Sequence, residues 1–151
     1  MQQAALDTQF GALTVTEAQG HIVALAWHDG PRTPQSPLLA EALAQLAAYD
    51  AGKLEAFDLP LRPAGSAALL DVLDAIRAIR FGETRTYGEI AREIGQSAQS
   101  VGRCCGANPI PVIIPCHRVM GTRGLTGFSG AGGVETKVAL LRHEKAGGFL
   151  I

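Results

Sequence analysis

The chain has 151 residues, 47% apolar and 18% charged, a composition too hydrophobic for disorder and long enough to bury one ordinary core or two small ones. No apolar run reaches the ~20 residues of a membrane span, and the opening MQQAALDTQF lacks the basic flank and apolar centre of a secretion signal, so a cytoplasmic protein with no membrane partner is expected. The net charge of −1 gives no overall signature of nucleic-acid binding, although only Glu135 and Glu144 oppose six basic residues beyond position 94.

Leu13 and Val15 alternate with Thr14 and Thr16, which predicts a strand. A turn at Gln19-Gly20 leads to a second apolar run, Ile22 to Trp27, completing a hairpin. Ser36-Pro37 predicts a helix start, with Leu38, Leu39, Ala42, Leu43 and Leu46 at helical spacing and Gly52 marking the end. Phe57 and Leu59 suggest a third strand before Pro60 and Pro63. Residues 1–62 thus read as a small α/β domain, and the proline-bearing stretch from Leu59 to Gly65 as a linker into a domain spanning 63–151.

Beyond the linker the pattern turns helical. Ser66 caps a helix with Leu69, Leu70, Val72, Leu73, Ile76 and Ile79 on its buried side, running to about Gly82. Thr86-Tyr87-Gly88-Glu89 is a capping box opening a short helix that ends at Gly95, and Ser97 caps another reaching about Gly106. Two short helices across a glycine turn are compatible with a DNA-docking helix-turn-helix or with an ordinary packed helix pair, and the pattern does not choose between them.

The segment from Asn108 to Val119, NPIPVIIPCHRV, carries the chemistry. Three prolines punctuate an apolar run, exclude a regular helix, and deliver Cys116 beside His117. Two readings stand at this point. Cys116 is a small buried core residue with His117 a satisfied neighbour, or it is a nucleophile. A free thiol needs a base or a positive field to become thiolate; His117 supplies the base and Glu144 can orient the imidazole. Three cysteines, two of them adjacent (Cys104, Cys105), make no disulfide framework, and with four histidines they show no zinc-ligand spacing; no metal or cofactor is expected.

Pro115-Cys116-His117-Arg118-Val119 resembles the active-site signature of the O6-alkylguanine-DNA alkyltransferases, the methylated-DNA–protein-cysteine methyltransferase family. The resemblance extends through residues 82–91, Val101-Gly102, residues 106–109, residues 127–133 and Leu140-Leu141-Arg142-His143-Glu144. It implies an α+β protein: an N-terminal ribonuclease-H-like α/β domain and a helical, winged-helix-like C-terminal domain whose helix-turn-helix binds the minor groove. It further implies DNA repair by irreversible, stoichiometric transfer of the alkyl group from O6-alkylguanine in double-stranded DNA to Cys116, by a monomer.

Carried over motif by motif, the resemblance makes His117 the acceptor of the thiol proton through a water, Glu144 its orienter, and Asn108 the tie that holds the reactive segment. Tyr87 would bond the flipped base, main-chain groups around Val119 and Ser129 would read the guanine edge, and Phe128 would wall the base where some members have tyrosine. Thr86, Gln99, Gly102 and Arg103 would face DNA. Gln99 stands where the family usually has an arginine: either Arg103, one turn later, supplies the missing cation, or base flipping is weaker and repair slower, and the sequence does not choose between them. The departure at Gln99 keeps open an alkyltransferase-like module that binds the lesion without transfer. A cysteine hydrolase and a helix-turn-helix regulator are weaker readings, the latter because it leaves the proline-braced cysteine unexplained.

Overall fold

The computed structural model describes residues 1–121 and 133–146, which form two compact units, 1–64 and 65–151. In the N-terminal unit, β1 (Gln2–Thr8), β2 (Gly11–Ala18) and β3 (His21–Ala26) make an antiparallel sheet in sequence order, against which α1 (Pro37–Asp50) packs. Ser36 caps α1 by accepting from the Leu39 amide, worth about 1 kcal/mol, and Pro37 fills the first helical turn where no donor is needed. Leu39, Ala42, Leu46 and Tyr49 form its buried side. Leu13, Val15, Ile22 and Leu25 are buried sheet residues of the same unit.

One expectation for this unit needs correction. The third strand is β1, not the segment around Phe57 and Leu59. Gln2-Gln3-Ala4-Ala5-Leu6 has little intrinsic strand preference; pairing with β2 over seven residues decides its state. Residues 57–59 cannot join a ladder because Gln45 of α1 takes both backbone groups of Asp58, accepting from its amide at 2.9 Å and donating to its carbonyl at 3.0 Å. The chain meets the sheet just beyond, in a single parallel bridge between Leu61 and Ile22, where the Ile22 amide donates to the Pro60 carbonyl at 2.8 Å and the Arg62 amide to the Ile22 carbonyl at 2.9 Å.

The C-terminal unit is built from α2 (Ala67–Arg77), α3 (Tyr87–Ile94), α4 (Ala98–Gly106) and α5 (Val134–His143), with β4 (Arg85–Thr86) and β5 (Val119–Met120) pairing in parallel. The helix from Ser66 stops at Arg77, five residues short of Gly82. Its last turn tightens, with the Ile79 amide donating to Ile76, so the chain leaves the helix and Ile79 presents its carbonyl to the interior. Gly95, at φ 72°, closes α3 in the left-handed conformation glycine adopts without penalty, and the chain turns directly into α4. α2, α3 and α4 pack on one another, and α2 and α5 both pack on the turn that carries Cys116. No helix of the described residues is long and apolar enough to cross a membrane.

Candidate active site

Residues 108–118 form a braced, almost fully buried arch. The Pro111 carbonyl accepts from the Ile113 amide at 2.9 Å, closing a three-residue turn around Val112 at φ 72°. Left-handed backbone is costly for a β-branched residue and persists only where the surroundings hold it. A second three-residue turn, of the relaxed hand, follows at Pro115 (φ −82°, ψ 64°), with the Cys116 amide donating to Ile114 at 2.8 Å. Asn108 ties the arch together: its side-chain oxygen accepts from the Ile110 amide and its amide donates to the Ile114 carbonyl, both at 2.9 Å.

Cys116 begins a 3-10 turn, Cys116–Arg118, and is 3% exposed. Burial pushes its thiol pKa up, against the pull of the Asn108 amide and the Lys137 ammonium. The resting group is therefore a protonated thiol that needs a base. His117 is sealed beside it, with Nε2 2.8 Å from Glu144 Oε2. Burial lowers the imidazole's proton affinity even though Glu144 favours the charged form. Its Nδ1 is buried with no hydrogen-bond partner among the described residues.

Glu144 is the C-cap of α5, 2% exposed rather than a solvated helix residue. Burial alone would raise its carboxyl pKa, but hydrogen bonds from His117 and Arg118 hold it at about 2. Arg118 grips it with one edge of the guanidinium, Nε donating to Oε1 at 2.8 Å and Nη2 to Oε2 at 3.0 Å. Its Nη1 donates to the Ile79 carbonyl at 2.6 Å, and the Phe81 ring lies 5.9 Å from its centre.

Tyr87, half-buried, opens α3. The β4–β5 pairing of Thr86 with Met120 holds that helix start beside the strand leaving the active turn. Lys137 links the two, its Nζ donating to the Val119 carbonyl at 2.6 Å and lying 5.8 Å from the centre of the Tyr87 ring. Any base that reads the Val119 carbonyl therefore shares that oxygen with Lys137. The Thr86 hydroxyl accepts from the Glu89 amide, which completes the capping box.

The structure thus gathers Cys116, His117, Asn108, Glu144 and Val119 into one region, with Tyr87 joined through Lys137. Gln99, Gly102 and Arg103 stand apart on the outer face of α4, Gln99 and Arg103 exposed, opposite buried Val101 and Cys105. A Cβ added at Gly102 or Gly106 would meet nothing within 4 Å, so internal packing does not require either glycine, while mid-helix glycine costs about 1 kcal/mol against alanine. Phe128 and Ser129 lie outside the described residues. Cys105 is buried with its thiol pushed up to about 12, which suits a packing residue. Among the described residues no group of histidine, cysteine and carboxylate side chains is placed to hold a metal ion.

Sequence reasoning passed over two groups, Arg118 and Lys137, both buried charges. A signal for Lys137 was present. Lys137, Leu140, Leu141 and Glu144 fall at i, i+3, i+4 and i+7, so the lysine and the glutamate occupy apolar positions of a helix stripe.

Two family models match the chain. The ribonuclease-like domain of 6-O-methylguanine DNA methyltransferase matches residues 1–63, and its DNA binding domain matches residues 69–146. Among curated relatives, the methylated-DNA–protein-cysteine methyltransferase of Methanosarcina acetivorans is 48% identical over 107 residues, 69% of this chain and 67% of that protein. That of Mycobacterium tuberculosis is 46% identical over 117 residues, 76% and 70% of the two chains. The crystal structure of Mycobacterium tuberculosis O6-methylguanine methyltransferase superposes with a TM-score of 0.85 at 36% identity, covering 99% of this chain and 95% of that one. A structure of Mycobacterium tuberculosis OGT in complex with DNA gives 0.85 at 38% identity, over 95% and 92%. With both of its units matched in order, the chain belongs to the 6-O-methylguanine DNA methyltransferase family.

Proposed function

We propose that this protein is a methylated-DNA–protein-cysteine methyltransferase that repairs O6-alkylguanine in double-stranded DNA by direct, single-turnover transfer of the alkyl group to Cys116. The observation that carries the reading is the sealed Cys116-His117-Glu144 cluster: a braced thiol next to an imidazole whose Nε2 is held by a carboxylate and whose Nδ1 has no partner among the described residues. A binding-only role leaves that arrangement without a purpose.

The O6 alkyl group lies inside the duplex, so the nucleotide must leave the stack before a buried thiol can meet it. Cys116 Sγ attacks the alkyl carbon, the carbon–sulfur bond forms as the carbon–O6 bond breaks, and the electron pair departs with guanine. The thiol proton passes through a water to His117 Nδ1, and Glu144 stabilises the imidazolium that results. The Tyr87 phenol meets the charge developing on the departing guanine and donates a proton to it, and the proton held by His117 passes through solvent to restore the phenol. A thioether does not hydrolyse, so each molecule acts once. Asn108 keeps the arch in the geometry the attack requires, and main-chain groups near Val119 and Ser129, with the Phe128 ring, complete the base site.

The protein meets DNA with the outer face of α4. Gln99 and Arg103 flank Gly102, whose missing side chain permits close approach of a strand, and Arg103 supplies a phosphate contact; the start of α3 at Thr86 completes the interface. We assign the working unit as a monomer acting without cofactor in the cytoplasm, a compartment that suits three free cysteines.

The test is a single-turnover incubation with a duplex containing O6-methylguanine, followed by peptide mass mapping. One methyl group on the Cys116 peptide, stoichiometric with restored guanine and absent in Cys116→Ser, is the expected result. Tight lesion binding by folded protein with no methylated peptide would overturn it in favour of a binding module.

A further inference from the structure

We propose that Arg118 is a positioning residue for the transfer: by gripping both oxygens of Glu144 it makes that carboxylate a fixed acceptor, which places the imidazole proton of His117 on Nε2 and leaves Nδ1 to receive the thiol proton. The inference rests on the proposed alkyl transfer and adds to it a residue outside the Cys116-His117-Glu144 set.

The geometry carries it. An ionised carboxylate only accepts hydrogen bonds, so the 2.8 Å contact between His117 Nε2 and Glu144 Oε2 fixes the tautomer only while Glu144 stays ionised and stays put. Arg118 secures both conditions with the parallel bonds to Oε1 and Oε2, and is itself anchored by the Ile79 carbonyl that the early end of α2 leaves unused. A second consequence follows from charge. A lone buried carboxylate beside an imidazole draws a proton onto it, and a base already protonated cannot take one from Cys116. The guanidinium balances Glu144 in advance, so His117 stays neutral, in keeping with the downward direction of its pKa.

The charged and titratable groups facing His117 can be named element by element. α5 contributes Glu144 and Lys137, and the 3-10 turn itself contributes Arg118 and the Cys116 thiol. α2, also packed on the turn, keeps its charged side chains Asp71, Asp74 and Arg77 exposed. Lys137 opposes protonation of His117 as Arg118 does, but its ammonium is bonded to Val119 and makes no bond to Glu144 among the described residues.

The experiment has two arms. Nitrogen-15 imidazole spectra of the DNA-free wild-type protein at about pH 7 are expected to show His117 neutral with its proton on Nε2; a proton on Nδ1 overturns the proposal whether or not any methyl is transferred. In the second arm the single-turnover transfer rate is followed against pH. Arg118→Gln is expected to move the acid limb upward by about one pH unit, so that its deficit is about tenfold greater below neutrality than above it. Arg118→Lys, which keeps the charge but loses the fork, is expected to keep the limb in place. A deficit of equal size at every pH, the signature of a merely structural arginine, overturns the proposal. Should Arg118→Gln fail to fold, the wild-type tautomer and the Arg118→Lys profile decide it. A wild-type protein with the expected tautomer and no methyl on Cys116 would refute the transfer reading and leave the assigned geometry intact.

Discussion

In the N-terminal unit Arg32 reaches Asp7 at 2.9 Å and Asp29 at 2.6 Å, and all three side chains are open to solvent, the arginine at 46% and the aspartates at 78% and 70%. In the C-terminal unit Arg118 makes bonds of the same length to Glu144, with the pair sealed at 7% and 0%. The donor and acceptor chemistry is alike; the surrounding medium is not. Water screens the first cluster, and exposed pairs of this kind are worth about 0–1 kcal/mol. Removing water from the second makes each charge depend on its partners, because an uncompensated buried ion costs several kcal/mol. Such a cluster is a poor way to gain stability and a good way to hold one geometry, which is what a nucleophile and its base require.

The largest expected effect comes from breaking the sealed cluster at its centre. Glu144→Gln leaves Arg118 buried without an opposite charge and lets the imidazole turn over, so we expect unfolding free energy in urea to fall by about 3–5 kcal/mol. The single-turnover rate should drop by about 100-fold or more. A variant as stable as the wild type would mean that the cluster is wetter than its burial indicates.

Acid sharpens the same contrast. Glu144 has its carboxyl lowered from an ordinary 4.5 to about 2, and His117 is shifted below its ordinary 6.5. In both cases the unfolded chain binds the proton first as pH falls, so stability present at neutrality is lost on acidification. The loss begins as the pH passes 6.5, where His117 charges only in the unfolded chain. It steepens between 4.5 and about 2 as Glu144 follows, a span worth about 3 kcal/mol for the carboxyl alone. Denaturation midpoints measured across that range should fall accordingly in the wild type, and the limb below 4.5 should flatten in Glu144→Gln. Asp29 is also lowered, by hydrogen bonds from Arg32 and the Gly30 amide, but it is open to solvent and should leave no comparable mark.

A smaller effect is expected on the face of α4. Arg103→Ala should leave folding unchanged and reduce the slope of log affinity for duplex DNA against log salt by about one phosphate contact. An unchanged slope would remove Arg103 from the interface and leave Gln99 with no nearby cation on that helix face.

What the sequence made legible follows the range of the interactions involved. The capping box at Thr86, the Ser36, Ser66 and Ser97 caps, and the glycine turn between α3 and α4 are decided within a few residues and stand where the sequence put them. β1 was invisible because its alanines and glutamines become a strand only through β2. The supposed strand at Phe57 failed because a side chain thirteen residues away takes the backbone of Asp58. Proline spacing pointed to a braced cysteine, yet nothing local announced the left-handed Val112, which only the packed arch maintains. Arg118 lay in plain view inside the signature. Its partners at Ile79 and Glu144 are 39 and 26 residues away, so its task could not be read without the fold.

The smallest expected effect is the other half of the comparison. Arg32→Ala removes two short ion pairs and the hydrogen bonds that Arg32 gives Asp7 and Asp29. In water the two aspartates recover solvation at once, and the entropy cost of holding the long arginine side chain in one geometry disappears with it, so the net change in unfolding free energy should stay within about 1 kcal/mol. It should also shrink further as salt is raised, since the Debye length falls to about 3 Å at 1 M. Glu144→Gln should keep most of its deficit in the same salt, because ions do not reach a side chain sealed from solvent. Equal salt sensitivity of the two variants would show that both clusters are wet, and the distinction between a surface network and an active-site scaffold would have to rest on geometry instead of medium.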